Sequence, residues 1–345
     1  MNILFLMYPW SKIEAETDTT LRLIHEAFTR KHTVAVATPS NLTMRDTVSS
    51  ALCHILKKKA VIPGNIVSFY KKAEFRKSRL PLAGFDAIIM RCEPPLNPIA
   101  LNFLDSVRND VFIMNDIDGL RIANNKLYTS AFDDPGNKFI PVTHVSKNIE
   151  YLEEVLRESK TDKMIMKPLD GYGGRGIILI EKHAQQSFHS LLEFYINSRE
   201  GGNYVILQEY VEGADQGDIR ILMLNAEPIG AMRRIPAQGD IRSNIHAGGT
   251  VVKHNLTKAE KALCRHIGVK LIRDGLFFVG IDVINGKLIE VNVLSPGGIV
   301  RINRLNRTKL QKQVIDFVEG VVISKETLKI RKTEFKQVIE DAIVV

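Results

Sequence analysis

Cysteine is scarce in this sequence of 345 residues, which contains only Cys53, Cys92 and Cys264. These residues are far apart and odd in number, so the sequence excludes a disulfide framework and a Cys-x-x-Cys metal site. Cysteines used so sparingly are typical of a reducing compartment, and we expect a cytoplasmic location.

Long hydrophobic runs are also missing. No apolar run reaches the roughly 18 residues that a membrane-spanning helix needs, so we expect no membrane partner. Residues 1–7 are apolar, but neither a basic region nor a small-residue cleavage site accompanies them. The pattern therefore favours a buried first strand over a signal peptide.

The charge is basic, with a formal net value of +8. Basic runs at residues 57–59 and 71–72 have no aromatic residues interleaved with them, and we interpret them as solvated faces. We therefore expect no nucleic-acid partner, although the excess of positive charge suits small anionic molecules.

Residues 1–120 show the alternation of an α/β domain. Asp18 or Thr19 can cap a helix whose apolar residues recur at helical spacing. Residues 45–80 are basic and less regular than their surroundings. We expect a parallel sheet covered by helices, with ligands at the carboxyl ends of the strands. The apolar runs predict strands at residues 3–7, 33–37, 86–90 and 111–115.

The rest of the chain divides by pattern into three parts. Residues 121–200 form a central unit that contains a helix near 184–197. Residues 201–320 form a unit rich in strands, and residues 321–345 predict a charged helical tail. In the strand-rich unit, the pattern predicts a helix near 257–273 and strands at 205–211, 218–224, 228–235, 276–284 and 287–293.

A glycine-rich stretch begins at Lys167 and contains Gly171, Gly173 and Gly174. Glycine lets the backbone approach an anion closely, and Lys167 adds a positive charge. The spacing matches a dinucleotide fingerprint, but a strand follows where that fingerprint needs a helix. A P-loop and a protein-kinase loop are excluded because their companion motifs are absent. On the residues alone, a phosphate-binding loop and a plain glycine-rich turn both remain open.

Asp282, Glu290 and Asn292 form a group of oxygen donors on two predicted strands. Such donors suit Mg²⁺, which takes its other ligands from phosphate and water. A two-residue turn at residues 285–286 would place Asp282 opposite Ile289, whereas a three-residue loop would place it opposite Glu290. A shared metal site therefore predicts the three-residue loop, with a glycine bulge.

Two further polar groups follow the glycine-rich stretch. Residues 208–212 end a strand in acidic residues, which can pair with an adenine edge and offer a carboxylate to ribose. Asp218 and Arg220 follow this strand end. Clustered arginines suit a phosphoryl group in transit; they are Arg233, Arg234 and Arg242, accompanied by Asn244 and an Ala-Gly-Gly run that ends at Gly249. The sequence offers no covalent nucleophile, because it lacks a serine-hydrolase elbow and Cys92 has no base near it in sequence.

In this order the motifs resemble those of the ATP-grasp ligases, most closely the bacterial glutathione synthetases. The resemblance runs from the first strand to about residue 320. It rests on Met90-Arg91-x-x-Pro94-Pro95, Asn124-x-Lys126-Leu127, Lys167-Pro168-Leu169-Asp170-Gly171-x-Gly173-Gly174 and Phe278-Val279-Gly280-x-Asp282. It implies an α/β protein with the ATP-grasp fold and a Rossmann-like N-terminal domain built on a parallel sheet.

The resemblance also implies roles for individual residues. ATP would lie between two antiparallel sheets, held by Lys126, Lys167, Gly171, Gly173, Gly174, Gln208, Glu209, Tyr210, Val211 and Asp218. Two Mg²⁺ or Mn²⁺ ions would be held by Asp282, Glu290 and Asn292. The catalytic groups would be Arg220, Arg234, Asn244 and Gly249. Contacts to the other substrates would come from Thr19, Arg91, Arg242, Ser295 and Gly297.

The implied activity is the ATP-dependent synthesis of glutathione from γ-glutamylcysteine and glycine through an acylphosphate. The glycine-rich hairpin and the loop at 237–247 would be lids. The family usually has Ser-Pro-Thr after the metal-binding strand, whereas this sequence has Ser-Pro-Gly-Gly at 295–298. A ligase for a different carboxylate and amine therefore stays open as an alternative, as does a non-catalytic ATP-binding module. The resemblance further implies a homodimer or homotetramer.

Overall fold

A computed structural model of the protein describes residues 1–58, 61–169, 176–197, 202–237 and 248–343. The chain forms two compact units. Unit 1 comprises Met1–Glu93, Asn97–Ile117 and Lys309–Val345, and unit 2 comprises Pro94–Leu96 and Asp118–Thr308. The domain limits expected at residues 120, 200 and 320 stay predictions. Within the described ranges, no helix is long and apolar enough to cross a membrane.

The secondary structure alternates throughout the described residues. The strands are β1 (Asn2–Met7), β2 (Thr33–Ala37), β3 (Leu42–Arg45), β4 (Val48–Leu56), β5 (Phe75–Pro81), β6 (Ala87–Arg91), β7 (Phe112–Met114), β8 (Thr143–Ser146), β9 (Lys163–Pro168), β10 (Ile178–Glu181), β11 (Val205–Glu209), β12 (Asp218–Leu224), β13 (Glu227–Ile235), β14 (Thr250–Lys253), β15 (Phe278–Ile284) and β16 (Lys287–Asn292). The helices are α1 (Thr19–Thr29), α2 (Ile66–Lys72), α3 (Pro98–Asp105), α4 (Ile117–Ala123), α5 (Ile149–Glu158), α6 (Gln185–Asn197), α7 (Lys258–Arg273), α8 (Ile299–Asn306) and α9 (Leu310–Ile343).

Unit 1 is built on a sheet whose centre is parallel. Its strands follow the order β3-β4-β2-β1-β6-β7, with β5 paired to β4. β1 lies parallel to β2 and β6, and β6 lies parallel to β7, so the predicted parallel sheet is confirmed for these four strands. The predicted cap of α1 is confirmed at Asp18, whose Oδ1 accepts a hydrogen bond from the Leu21 amide at 2.6 Å.

Residues 42–81 are more regular than the sequence predicted. The lower regularity expected at 45–80 is wrong, because β3, β4 and β5 form antiparallel pairs there and α2 separates β4 from β5. Basic residues hide the strand pattern in β5, where Arg76, Lys77 and Arg79 are exposed while β4 supplies the buried Ala51 and Cys53. Charged side chains are common on strands near the edge of a sheet.

The C-terminal helix α9 belongs to unit 1. Its first turns pack against α1, with Val314, Ile315 and Val318 fully buried. Arg30 of α1 donates from Nη1 to Asp316 at 2.6 Å and to Glu319 at 2.8 Å. Beyond Val322 the described helix is mostly exposed. The expected tail boundary at residue 320 therefore falls inside a continuous helix.

Unit 2 contains two antiparallel sheets. The first has the order β10-β9-β11-β8. Helices α5 and α6 supply Leu152, Leu156, Phe188, Leu192 and Ile196 to one core with its strands. The second sheet has the order β14-β13-β12-β15-β16. Because alternate residues of a strand point to opposite faces, this sheet can bury one side of β12 and β15 and present polar residues on the other.

Candidate active site

Polar residues of four adjacent strands share one face of the five-stranded sheet. Arg220 of β12 lies opposite Asp282 of β15, and Asp282 lies opposite Glu290 of β16. Asp218 precedes Arg220 by two residues and lies opposite Arg234 of β13. The two-residue period of the strands therefore brings five charged side chains together.

The hairpin between β15 and β16 reaches this register by a route that the sequence did not predict. Ile284 pairs with Lys287 across a two-residue turn, so the expected three-residue loop is wrong. Both turn residues have positive φ, 45° at Asn285 and 76° at Gly286, as the favoured two-residue hairpin turn requires. A register shift beyond Val283 then leaves Ile289 as the extra residue and aligns Asp282 with Glu290.

Asp282 is buried between two arginines. Arg220 donates to it from Nε at 2.5 Å and from Nη2 at 2.9 Å, while Arg234 Nη2 lies 2.9 Å from Oδ1. Burial opposes ionisation, but the positive charges of Arg220 and Arg234 outweigh it and hold the pKa of Asp282 below its ordinary value. Asp282 is therefore a carboxylate, and the Asn292 side-chain amide lies 3.3 Å from it.

Arg234 joins Asp282 to a second carboxylate. Its Nε donates to Asp218 Oδ1 at 2.6 Å, and its Nη2 also contacts the other oxygen of Asp218. Burial by itself lowers the pKa of Arg234, whereas Asp282 and Asp218 raise it above its ordinary value. Arg220, Arg234, Asp218 and Asp282 thus form an ion-pair network with equal numbers of positive and negative charges. Buried charges persist only when paired in this way.

The two lysines that are expected to bind phosphate lie on separate elements of unit 2. Lys126 starts a short 3-10 helix (Lys126–Ser130), and its Nζ lies 3.3 Å from Glu290. Lys167 is buried at the end of β9 and donates to Gln208 Oε1 at 3.0 Å. Burial lowers the pKa of Lys167 to about 8. Gln208 in turn donates to Thr143, a partner that the sequence analysis missed.

The strand end at residues 208–211 is held by the first sheet. The Glu209 carboxylate accepts from the Val142 amide at 3.0 Å and lies 3.8 Å from Lys287 Nζ. Tyr210 donates its amide to the Lys163 carbonyl at 3.3 Å. Val211 follows directly and accepts from the Ala214 amide at 3.2 Å, which closes the turn after β11.

The loop after β16 contacts the ion-pair network at Arg220. Arg220 Nη1 lies 3.4 Å from the carbonyl of Gly297, and Ser295 is half-buried. Gly298 is the N-cap residue before α8 and has φ of 132°, a backbone conformation that glycine adopts without strain. Gly249 lies immediately before β14 and is half-buried.

The substrate residues expected in unit 1 lie near each other at the carboxyl end of the parallel sheet. Arg91 ends β6 fully buried, and its Nε donates to Thr20 at 2.9 Å. Thr19, which precedes Thr20 in the sequence and starts α1, is also buried. Tyr8 donates a short hydrogen bond to Asp18. Thr20 and Tyr8 were missed, although the first follows a predicted site residue and the second follows a predicted strand.

Several predicted site residues fall outside the part of the chain that the structure describes, and their roles stay predictions. They are Gly171, Gly173, Gly174, Arg242 and Asn244.

Two family models match this chain. The model described as the N-terminal domain of prokaryotic glutathione synthetase matches residues 1–121. The model described as the ATP-grasp domain of prokaryotic glutathione synthetase matches residues 125–307. Helix α9 follows the second match.

Curated relatives carry the same description over nearly their whole length. The glutathione synthetase of Gloeobacter violaceus is 34% identical over 327 residues, which cover 92% of this chain and 96% of the relative. That of Thermosynechococcus vestitus is 36% identical over 324 residues, which cover 91% of this chain and 98% of the relative.

Solved structures share the fold at low identity. A D-cycloserine synthetase superposes with a TM-score of 0.63 and 14% identity, covering 94% of this chain and all of the other. The D-alanine–D-alanine ligase of Coxiella burnetii superposes with a TM-score of 0.60 and 10% identity. The match covers 97% of this chain and 99% of the ligase. These likenesses support the ATP-grasp fold.

Proposed function

This chain belongs to the prokaryotic glutathione synthetase family and is an ATP-dependent, ADP-forming carboxylate–amine ligase of glutathione synthesis, and we propose the roles that its residues take in that reaction. The observation that carries the assignment of roles is the register of β12, β15 and β16. This register places Arg220, Asp282 and Glu290 on one face of the sheet. The positive guanidinium of Arg220 contacts the negative carboxylate of Asp282 there.

Lys126 and Lys167 hold the phosphates of ATP in this proposal. Both side chains are largely buried, and a buried ammonium is compensated well by phosphate oxygens. The backbone at Gly171, Gly173 and Gly174 would cover the phosphates. The adenine and ribose would lie along the strand end formed by Gln208, Glu209, Tyr210 and Val211. Asp218 would border the phosphates, with its carboxylate held by Arg234.

The residues at the β15–β16 hairpin fit a divalent cation. Asp282 and Glu290 face each other as oxygen donors, and Asn292 adds an amide beside Asp282. No cluster of three or more His, Cys, Asp or Glu that could hold a metal occurs among the described residues. Mg²⁺ suits such a partial donor set because it keeps phosphate and water ligands; Mn²⁺ is the alternative. The ion would supply charge neutralisation at the transferring phosphoryl group.

Arg220 and Arg234 neutralise charge while the carboxylate of γ-glutamylcysteine attacks the γ-phosphate, the bond to the β-phosphate breaks, and ADP leaves an acylphosphate behind. Their guanidinium groups are fixed by Asp282 and Asp218 before substrate arrives, so little reorganisation is needed. The amine of glycine then attacks the acylphosphate, and phosphate leaves. Asn244 and the backbone of Gly249 would lie beside the tetrahedral intermediate.

Substrate contacts complete the proposal. Thr19 and Arg91 would meet γ-glutamylcysteine, since Arg91 is a buried cation at the carboxyl end of the sheet. Arg242, Ser295 and Gly297 would border the acceptor. We further propose a cytoplasmic homodimer or homotetramer. The free and buried cysteines of the described chain support a reducing compartment.

Phosphate release with γ-glutamylcysteine and a panel of acceptor amines tests the substrate pair. We expect turnover with glycine to exceed that with alanine, serine and β-alanine. If glycine gave no turnover and another amine did, the acceptor would be reassigned and the alternative ligase would hold. Nucleotide binding without turnover for any amine would point to a non-catalytic module.

A further inference from the structure

Gly280 lies on the site face of β15, two residues before Asp282. It pairs with Leu222 of β12 on one side and with Asn292 of β16 on the other. Its backbone φ is outside the left-handed region, so conformation does not require glycine at this position. The atoms around position 280 therefore decide whether a side chain fits there.

That space is bordered by Pro296 and Arg220. A Cβ at position 280 would lie 3.4 Å from Arg220 Nη1, 3.5 Å from Arg220 Cδ and 3.2 Å from Pro296 Cβ. Arg220 cannot move aside freely, because its Nε and Nη2 are engaged with Asp282 and its Nη1 lies near the Gly297 carbonyl. Its side chain retains only 11% of its exposure.

We propose that Gly280 is a positioning residue, whose missing side chain leaves room for the Arg220 guanidinium to pass over β15 and reach Asp282 and the Gly297 carbonyl. The proposal rests on the role of Arg220 given under the proposed function. It goes further because it makes the geometry of that arginine depend on a residue with no polar group.

The consequence is specific to the chemical step. A methyl group at position 280 would lie 3.2 Å from the buried Pro296, so that Pro296 or β15 must shift by a few tenths of an ångström. A shift of β15 away from Pro296 would press the methyl group against the Arg220 guanidinium, which it already contacts at 3.4 Å. A donor that stabilises a transition state loses much of its effect when it is misplaced by that order of distance. Binding of ATP by Lys126 and Lys167 does not involve this space, so ground-state affinity should survive.

The test is Gly280→Ala in the full chain. We expect kcat to fall roughly 10- to 100-fold, with the KM for ATP within about twofold of the unsubstituted enzyme. The matched control is Gly268→Ala in α7, where a Cβ would meet Ala226 Cβ at 2.9 Å, a tighter contact away from the site. We expect Gly268→Ala to lower the unfolding midpoint but to leave kcat unchanged.

A double-mutant cycle with Arg220→Lys identifies the route of the effect. Lysine has no Nη1, so Gly280→Ala should cost less than about threefold in that background, which is strong non-additivity. Equal costs in both backgrounds would overturn the proposal. Full activity of Arg220→Ala would instead reject the proposed role of Arg220, which separates the two failures.

Discussion

At the residue scale, Glu290 differs from its neighbour Asp282 because it is not enclosed by arginines. Its carboxylate contacts Lys126 and is partly exposed, which leaves it accessible to a cation. We expect Glu290→Gln to reduce Mg²⁺-dependent turnover by about 100-fold or more, because the amide removes one charge from the donor set. The secondary structure measured by circular dichroism should be unchanged.

The control for this substitution is Glu326→Gln, which lies on the exposed part of α9. We expect its turnover to match the unsubstituted enzyme. Near-normal activity of Glu290→Gln at every Mg²⁺ concentration would contradict the metal assignment.

In its proposed role, Lys167 would make ATP binding sensitive to pH. Burial lowers its pKa to about 8, and phosphates bind the protonated form, so binding ATP takes up a proton. The affinity for ATP should therefore fall as pH rises above about 8, approaching tenfold per pH unit. Titration calorimetry from pH 7 to 9.5 measures this slope. Arginine stays charged in this range, so Lys167→Arg should flatten it; an equally steep slope in Lys167→Arg would assign the pH dependence elsewhere.

The same shift affects stability with a definite sign. Because the folded pKa of Lys167 lies below the ordinary value of 10.5, the unfolded chain binds more protons between about pH 8 and 10.5. The contribution of Lys167 to the free energy of unfolding therefore rises with pH across this window.

At the scale of elements, the β15–β16 turn joins the two strands that carry the candidate metal site. Gly286 has φ of 76°, and an L-residue in this region costs roughly 1–2 kcal/mol. We expect Gly286→Ala to lower the free energy of unfolding in urea by about that amount. Gly64→Ala is the control, since its Cβ would meet no atom within 4 Å and its φ is ordinary. Equal stability of the two variants would contradict the turn geometry.

Helix α9 combines a packed half and an exposed half. Val318 is fully buried, whereas Val338 in the same helix is 66% exposed. We expect Val318→Ala to cost about 2 kcal/mol of unfolding free energy and Val338→Ala to cost almost nothing. Urea denaturation of the two variants compares the same substitution in both halves. Similar losses would show that the exposed half is also packed in solution.

At the scale of the whole molecule, the sequence allowed most of the fold and much of the site to be predicted. Strands such as β2 and β12 have apolar runs that only a buried strand explains, and motif order identified the ligase family. Glu290 and Asn292 could be grouped because strand residues two apart share a face.

The parts that could not be predicted depend on long-range packing. Residues 42–81 form antiparallel strands because β4 offers a partner, which the local basic pattern of β5 conceals. The bulge near Ile289 is decided by the register that both strands adopt together, not by the turn residues. Contacts such as Gln208 with Thr143 join residues distant in sequence and carry no local signal.

The measurement that tests the central claim most directly follows the carboxylate oxygens of γ-glutamylcysteine. When the glycyl-accepting carboxylate is fully labelled with ¹⁸O, turnover with ATP, Mg²⁺ and glycine should release phosphate that carries one labelled oxygen. This result follows because the carboxylate attacks the γ-phosphate and leaves one oxygen behind when the amine displaces phosphate. Mass spectrometry of the phosphate reads the label, and unlabelled substrate in ¹⁸O water controls for hydrolysis. Glutathione formed with unlabelled phosphate would contradict the acylphosphate route and the roles assigned to Arg220 and Arg234.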